Sequence, residues 1–107
     1  MDRPDSDVLV ALLRTVKFDS SVDVRLAALD ALKHFSREGM VRQGLVEALG
    51  PQKSPLVQIA LIDLLVEIRE QRAMDALRVV SRDSSVDQAV RQRATAAIGK
   101  LQNRGGL

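Results

Sequence analysis

The 107-residue chain has no cysteine, tryptophan or tyrosine, and Phe18 and Phe35 are its only aromatic residues. Without cysteine there is no disulfide, no thiolate nucleophile and no Cys-based metal site, which suits a reducing compartment. Without Trp or Tyr the large ring faces that stack on nucleic-acid bases are missing. Three prolines and six glycines fall mostly at segment ends. Sheet-forming domains draw on aromatic and β-branched residues, so a core of Leu, Val and Ala points to an all-α fold. Long apolar runs are lacking too. The longest, residues 59–68, is interrupted by Asp63 and Glu67 and falls far short of the roughly 20 apolar residues that span a bilayer. The start, Met1-Asp2-Arg3-Pro4-Asp5, lacks the basic and then apolar stretch of a signal peptide. A cytoplasmic domain that does not itself enter a membrane is expected, whether free or part of a longer membrane-anchored protein.

His34 is the only histidine, so general-base or metal chemistry would have to converge on that residue. At the edge of a polar helix face beside Lys33 and Arg37 it reads as solvated. A Ser nucleophile would need the same histidine, whereas Ser20, Ser21, Ser36, Ser54, Ser84 and Ser85 all fall where helix caps are expected. No cofactor site and no enzyme are expected.

What the chain does have is a repeat. At an offset of 33, residues 24–32 (VRLAALDAL) align with residues 57–65 (VQIALIDLL), and a further 33 reaches residues 90–98 (VRQRATAAI). The pentapeptide DSSVD occurs at 19–23 and again at 83–87, so the third unit is stretched by two residues. Ahead of each segment lies a shorter one with helical spacing: Leu9, Leu12, Leu13 and Val16; Val41, Leu45, Val46 and Leu49; Ala73, Ala76, Leu77 and Val80. Each unit is therefore two helices. Ser20 and Ser84, with Asp23 and Asp87 three residues on, and Ser54 before Pro55 are the expected starts. Six helices are predicted near 6–17, 22–36, 38–49, 55–69, 71–82 and 86–102.

A unit of this length that cannot bury its face alone signals a solenoid. The second helix of the middle unit is apolar nearly all round, as a helix with neighbours on both sides should be. Equivalent positions in the third unit are Gln92, Thr95 and Gly99, the polar face of a terminal repeat. The first helix adds Val8 and Val10 to its core stripe. A preceding repeat, a self-association contact through this N-terminal helix, or packing against the second helix would each cover them.

These residues resemble HEAT repeats: an Asp in the turn between two helices, then Val-Arg, Ala three residues on, then an Ala-Leu pair. Asp19 with Val24-Arg25, Ala28 and Ala31-Leu32 fits, and so does Asp83 with Val90-Arg91, Ala94 and Ala97-Ile98. Residues 54–68 are similar to bacterial HEAT domains of membrane-anchored anti-sigma-type regulators. The resemblance implies a right-handed α–α superhelix of three hairpins, about residues 5–36, 37–69 and 70–103, with 104–107 as a flexible tail. It also implies a non-catalytic, protein-binding scaffold, and a structural ladder in which Asp19, Arg25, Asp83 and Arg91 tie stacked units together. The middle unit has Gln52 or Lys53 at the Asp position and Gln58 at the Arg, which implies that the ladder is interrupted there.

In HEAT-like stacking the second helix of each unit lines the concave face. The helical wheel puts Leu26, Asp30, Lys33 and Arg37 on that side of the first unit and Ile59, Asp63, Val66 and Glu70 on that side of the second. A shallow groove with an apolar strip rimmed by charge is the expected protein-binding site, against the plainer reading that Leu26 and Ile59 are buried between units. Asp30 and Asp63 resemble a paired acid site, but helices about 10 Å apart hold carboxylates too loosely to share a proton.

The alternative is a nucleic-acid interface. Residues 1–70 carry nine basic and eleven acidic groups, while residues 71–107 carry seven and three. In that basic third Arg78, Arg82, Arg91, Arg93, Lys100 and Arg104 could contact phosphates. The missing aromatics and the acidic row in the groove, Asp30 and Asp63 extended by Glu67 and Glu70, argue against it.

Overall fold

A computed structural model describes residues 5–103. Among them are six α-helices and no strand: α1 (Ser6–Phe18), α2 (Val22–Lys33), α3 (Gly39–Leu49), α4 (Pro55–Glu67), α5 (Met74–Arg82) and α6 (Gln88–Gln102), with a 3-10 turn, Gln71–Ala73, ahead of α5. The helices pair as hairpins α1–α2, α3–α4 and α5–α6, stacked into a slab of 38 × 36 × 17 Å. The thin dimension is that of two helix layers, with α1, α3 and α5 in one and α2, α4 and α6 in the other. The expected tail, 104–107, lies outside the described residues.

Local signals explain the helix bounds. Asp5 accepts the N–H of Asp7 at 2.8 Å to start α1, and Lys17 in its last turn complements the helix dipole. The caps of α2 and α6 differ from those expected. Ser21, not Ser20, accepts the N–H of Val24, and Asp87, not Ser84, accepts that of Ala89. In the second case Val86 is still in a turn, its N–H bonded to the Asp83 carbonyl. Ser54 stands at the cap position of α4 without a side-chain bond, and Pro55 opens the helix.

α4 stops earlier than its apolar pattern suggests. Arg69 adopts φ 55°, the N–H of Arg69 bonds to the Val66 carbonyl, and the N–H of Glu70 reaches back to that of Leu65. That pair of bonds is a Schellman closure, usually built on glycine. It turns the chain inward, and Glu70 is only 6% exposed.

The core runs through the whole stack, with Leu9, Leu32, Leu45, Leu61, Leu65 and Leu77 fully or almost fully buried. α4 is the centre: Val57, Leu61, Ile62, Leu64 and Leu65 are all buried, because it packs against α2, α3 and α6. The polar positions expected at the far end, Gln92, Thr95 and Gly99, are exposed, and a Cβ built on Gly99 would meet nothing within 4 Å.

The two junctions between repeats are built differently. At the first, both layers close. Gly44 of α3 is buried under the Leu13 side chain of α1, so close that a Cβ on Gly44 would lie 2.5 Å from a Leu13 methyl. At the second, α4 packs on α6, but α3 and α5 stand apart and leave a cleft of about 550 Å3 lined by Val46, Gln52, Lys53, Gln58, Val80 and Asp83, among others.

The ladder follows the same division, and here the expectation needs correcting. Arg25 donates from Nη1 to Gln52 Oε1 at 2.9 Å, and Gln52 Nε2 donates to the carbonyls of Val16 and Ala48 at 2.8 and 3.1 Å. Gln52, only 4% exposed, therefore continues the ladder in the middle unit instead of breaking it. The break comes one junction later. Gln58 is too short to cross and donates to the Gln52 carbonyl. Asp83 accepts from the N–H and hydroxyl of Ser85, and Asp19 likewise accepts from the N–H of Ser21. The Arg91 side chain makes no hydrogen bond among the described residues, and its Nε is buried without a partner. Of the four residues named for the ladder, only Arg25 bonds across a junction.

Candidate protein-binding face

The exposed side of the α2, α4 and α6 layer carries two shallow grooves. The first, about 220 Å3, lies between α2 and α4, with Leu26, Leu29, Ala60 and Leu64 beneath and Asp30, Lys33, Asp63 and Glu67 around it. The second, about 250 Å3, lies between α4 and α6 and brings Val66, Ala96 and Ala97 together with Asp63, Glu67, Arg93 and Lys100. Both are smaller than the roughly 300–1,000 Å3 of typical small-molecule pockets. Apolar floors with charged rims of this size accept side chains of a partner surface.

Ion pairs cross these grooves. Asp63 receives a two-point contact from Arg93, Nε and Nη2 each at 2.7 Å. Lys33 Nζ lies 3.4 Å from Glu67 Oε2. The hydrogen bonds from Arg93 hold the Asp63 carboxyl below the usual carboxylate range, against partial desolvation and with help from the fields of Arg93 and Lys100. With both its oxygens bonded to Arg93, Asp63 has neither left to share a proton with Asp30. Asp30 is exposed at the groove rim and has no ion-pair or hydrogen-bond partner among the described residues.

Five of the eight residues expected to bind a partner line the two grooves: Leu26, Asp30, Lys33, Asp63 and Val66. Ile59 lines neither and, like Leu26, is half-buried against the core. Arg37 lies past the end of α2, in the turn before α3, where its carbonyl accepts from Arg42 Nη1. Glu70 is the clearest correction. It accepts three hydrogen bonds from Arg72, from N, Nε and Nη2, and lies 3.6 Å from Arg42 Nε. The bonds from Arg72 hold its carboxyl below the usual range despite desolvation. It fastens the α4–α5 connection and is buried there instead of standing on the exposed side. The wheel leaves out Ala60, Arg93 and Lys100, while Glu67 stands in the acidic row expected on this side. A signal existed for the charged ones, because Asp63 and Arg93 are 30 residues apart and Lys33 and Glu67 34, one repeat length less or more a few positions.

His34 caps the C-terminus of α2 and is exposed. Among the described residues no three of His, Asp and Glu converge where they could hold a metal ion, and no helix is long and apolar enough to cross a membrane. The basic third is partly spent on internal pairs, Arg93 with Asp63 and Arg78 with Asp75. Arg91 is half-buried, and Arg104 lies outside the described residues.

Stacked helical hairpins with a turn residue and an Arg joining neighbouring units define a helical solenoid. Residues 6–99 match the family of HEAT repeats, and the chain belongs to that family, whose members generally serve as non-enzymatic interaction scaffolds. It is also similar to the "Uncharacterized phycocyanin operon protein Z" of the bacterium Pseudanabaena tenuis, 28% identical over 106 residues. That alignment takes in 99% of this chain and 52% of the relative, so the chain spans about half the length of the curated relative it matches. No solved structure matches it.

Proposed function

We propose that this HEAT-repeat domain binds a protein partner across the α2, α4 and α6 face, with the partner's apolar side chains in the two grooves and its charges meeting the rim. The observation that supports this most is the pair of apolar-floored grooves at adjacent helices, ringed by both signs of charge. Asp30 contributes an unpaired acid at one end, and Lys100 a base at the other. A helix or an extended segment of the partner, basic where it meets α2 and acidic where it meets α6, suits that gradient.

Affinity capture with Asp30→Lys tests the reading, because the Asp30 side chain has no hydrogen bond or ion pair among the described residues to lose. Retention of a protein by the native chain and its loss by Asp30→Lys and by Ala60→Glu, with helicity unchanged in circular dichroism, is the expected result. Equal retention by all three would remove the face from consideration.

A further inference from the structure

We propose that the cleft between α3 and α5 takes an arginine side chain from a segment of a partner protein, whose guanidinium joins Gln58 to Asp83 and so supplies the rung missing from the ladder between the second and third units. The surface lies in the α1, α3 and α5 layer. The proposal therefore goes beyond the groove-side reading and does not depend on it.

The first junction is the template. There Arg25 of α2 reaches the turn residue of the next unit, Gln52, at 2.9 Å. One repeat on, the position of Arg25 holds Gln58 of α4, and the turn residue is Asp83 at the end of α5. Both line the cleft, but no hydrogen bond joins them. Gln58 is 5% exposed, and its Nε2 donates to the Gln52 carbonyl, which leaves Oε1 an acceptor without a donor among the described residues. Asp83 uses Oδ1 for the hydroxyl and N–H of Ser85, and its other oxygen accepts no hydrogen bond among the described residues. The bonds from Ser85 hold the carboxyl below the usual carboxylate range, so it is ionised at neutral pH. Two acceptors, one of them charged, thus stand at a cleft of about 550 Å3.

Three features select arginine on a protein segment as the occupant. A guanidinium carries five donors in a planar fork and can serve Gln58 Oε1 and the Asp83 carboxylate together, whereas an ammonium is a point charge on a flexible stem. The charge is complementary as well, since Glu47, Asp83 and Asp87 line the cleft against one base, Lys53. Glu47 is already paired with Lys17, but Asp83 and Asp87 form no ion pair among the described residues. Lastly, Val46, Val80 and Val86 line the same cleft with Val79, which is 68% exposed. That apolar wall offers contact to residues on either side of the arginine, and free arginine would leave it bare. The cleft lies inside the junction of the second and third units, so a repeat stacked before the first unit or after the third would not cover it.

Amide NMR titration of the full chain with the blocked tripeptide acetyl-Leu-Arg-Leu-amide tests the proposal. The expected result is saturable shifts at residues 46, 58, 79–80 and 83–87, with dissociation on the order of 1 mM. The lysine analogue of the tripeptide and arginine amide alone should each bind at least about fivefold more weakly. Gln58→Arg, which puts the guanidinium on the chain itself, should abolish the response. Asp83→Ala should weaken binding at least about tenfold, and because Asp83 is exposed it serves should Gln58→Arg fail to fold. No shift up to about 10 mM tripeptide, or shifts centred on residues 26–33 and 60–67, would overturn the proposal. So would equal binding of either analogue, or undiminished binding to Gln58→Arg or Asp83→Ala.

Discussion

The junction between the first and second repeats is closed on both layers and crossed by Arg25, whereas the junction between the second and third closes mainly through α4 and α6 and, apart from the 3-10 turn against α3, opens into a cleft behind. The same repeat thus makes two different contacts, and a few residues account for the difference. Gly44 lets α1 come down onto α3, while at the second junction α5 follows a 3-10 turn held to α6 by Gln71, whose Nε2 donates to the Leu101 carbonyl at 2.9 Å. Arg25 has the reach to cross a junction, and Gln58, its equivalent, does not. That change in reach at a repeated position decides whether the ladder continues; the second and third units are tied instead by Arg93 to Asp63 and by Arg72 to Gln43.

The sharpest way to break this comparison is to truncate equivalent residues on either side of it. Leu13 and Val46 are 33 positions apart, but Leu13 is buried against Gly44 and Val46 borders the cleft. Leu13→Ala should cost about 3 kcal/mol in denaturant unfolding and Val46→Ala about 1 kcal/mol or less, because only the first leaves a sealed cavity. Equal costs would mean that the junctions are energetically alike. The turn residues give the next contrast. Gln52→Ala strands the Arg25 guanidinium and the Val16 carbonyl and should cost about 2 kcal/mol, whereas Asp83→Ala gives up only exposed local bonds and should cost about 0.5–1 kcal/mol.

Acid titration probes the fastening of the α4–α5 connection. Glu70 has a folded-state pKa below its unfolded value, so the stability it contributes is complete above the ordinary carboxylate pKa and is lost as pH falls through the lower, folded one. The native chain should lose stability from about pH 5 downward, and Glu70→Gln should be less stable at neutral pH and flatter across that acid range. The smallest effect is expected at Arg69, whose left-handed conformation suits glycine. Arg69→Gly should stabilise by about 0.5–1 kcal/mol, read as a raised unfolding midpoint.

Much of this architecture is legible in the sequence, because apolar spacing reports burial directly and a 33-residue repeat repeats its burial. All six helices, the all-apolar α4 and the polar far end follow from it. Glu70 was misplaced because the wheel carries a helix on past its end, and nothing in Ile68-Arg69-Glu70 announces a left-handed turn without glycine. The wheel puts Asp63 and Lys33 on the exposed side of their helices, and that is where they stand, but it says nothing of their ion pairs. Their partners Arg93 and Glu67 sit on the adjacent helix, and pairing between helices depends on a stacking register that no single-helix wheel contains. Gln52 shows the converse: an amide offers both a donor and an acceptor, and so can stand in for the turn Asp while also bonding two carbonyls.

The most direct measurement is hydrogen exchange of the chain with and without its captured partner. Protection concentrated in residues 26–33, 60–67 and 93–100 is the expected footprint of binding across α2, α4 and α6. A footprint confined to α1, α3 and α5, with those segments exchanging as in the free chain, would contradict the account.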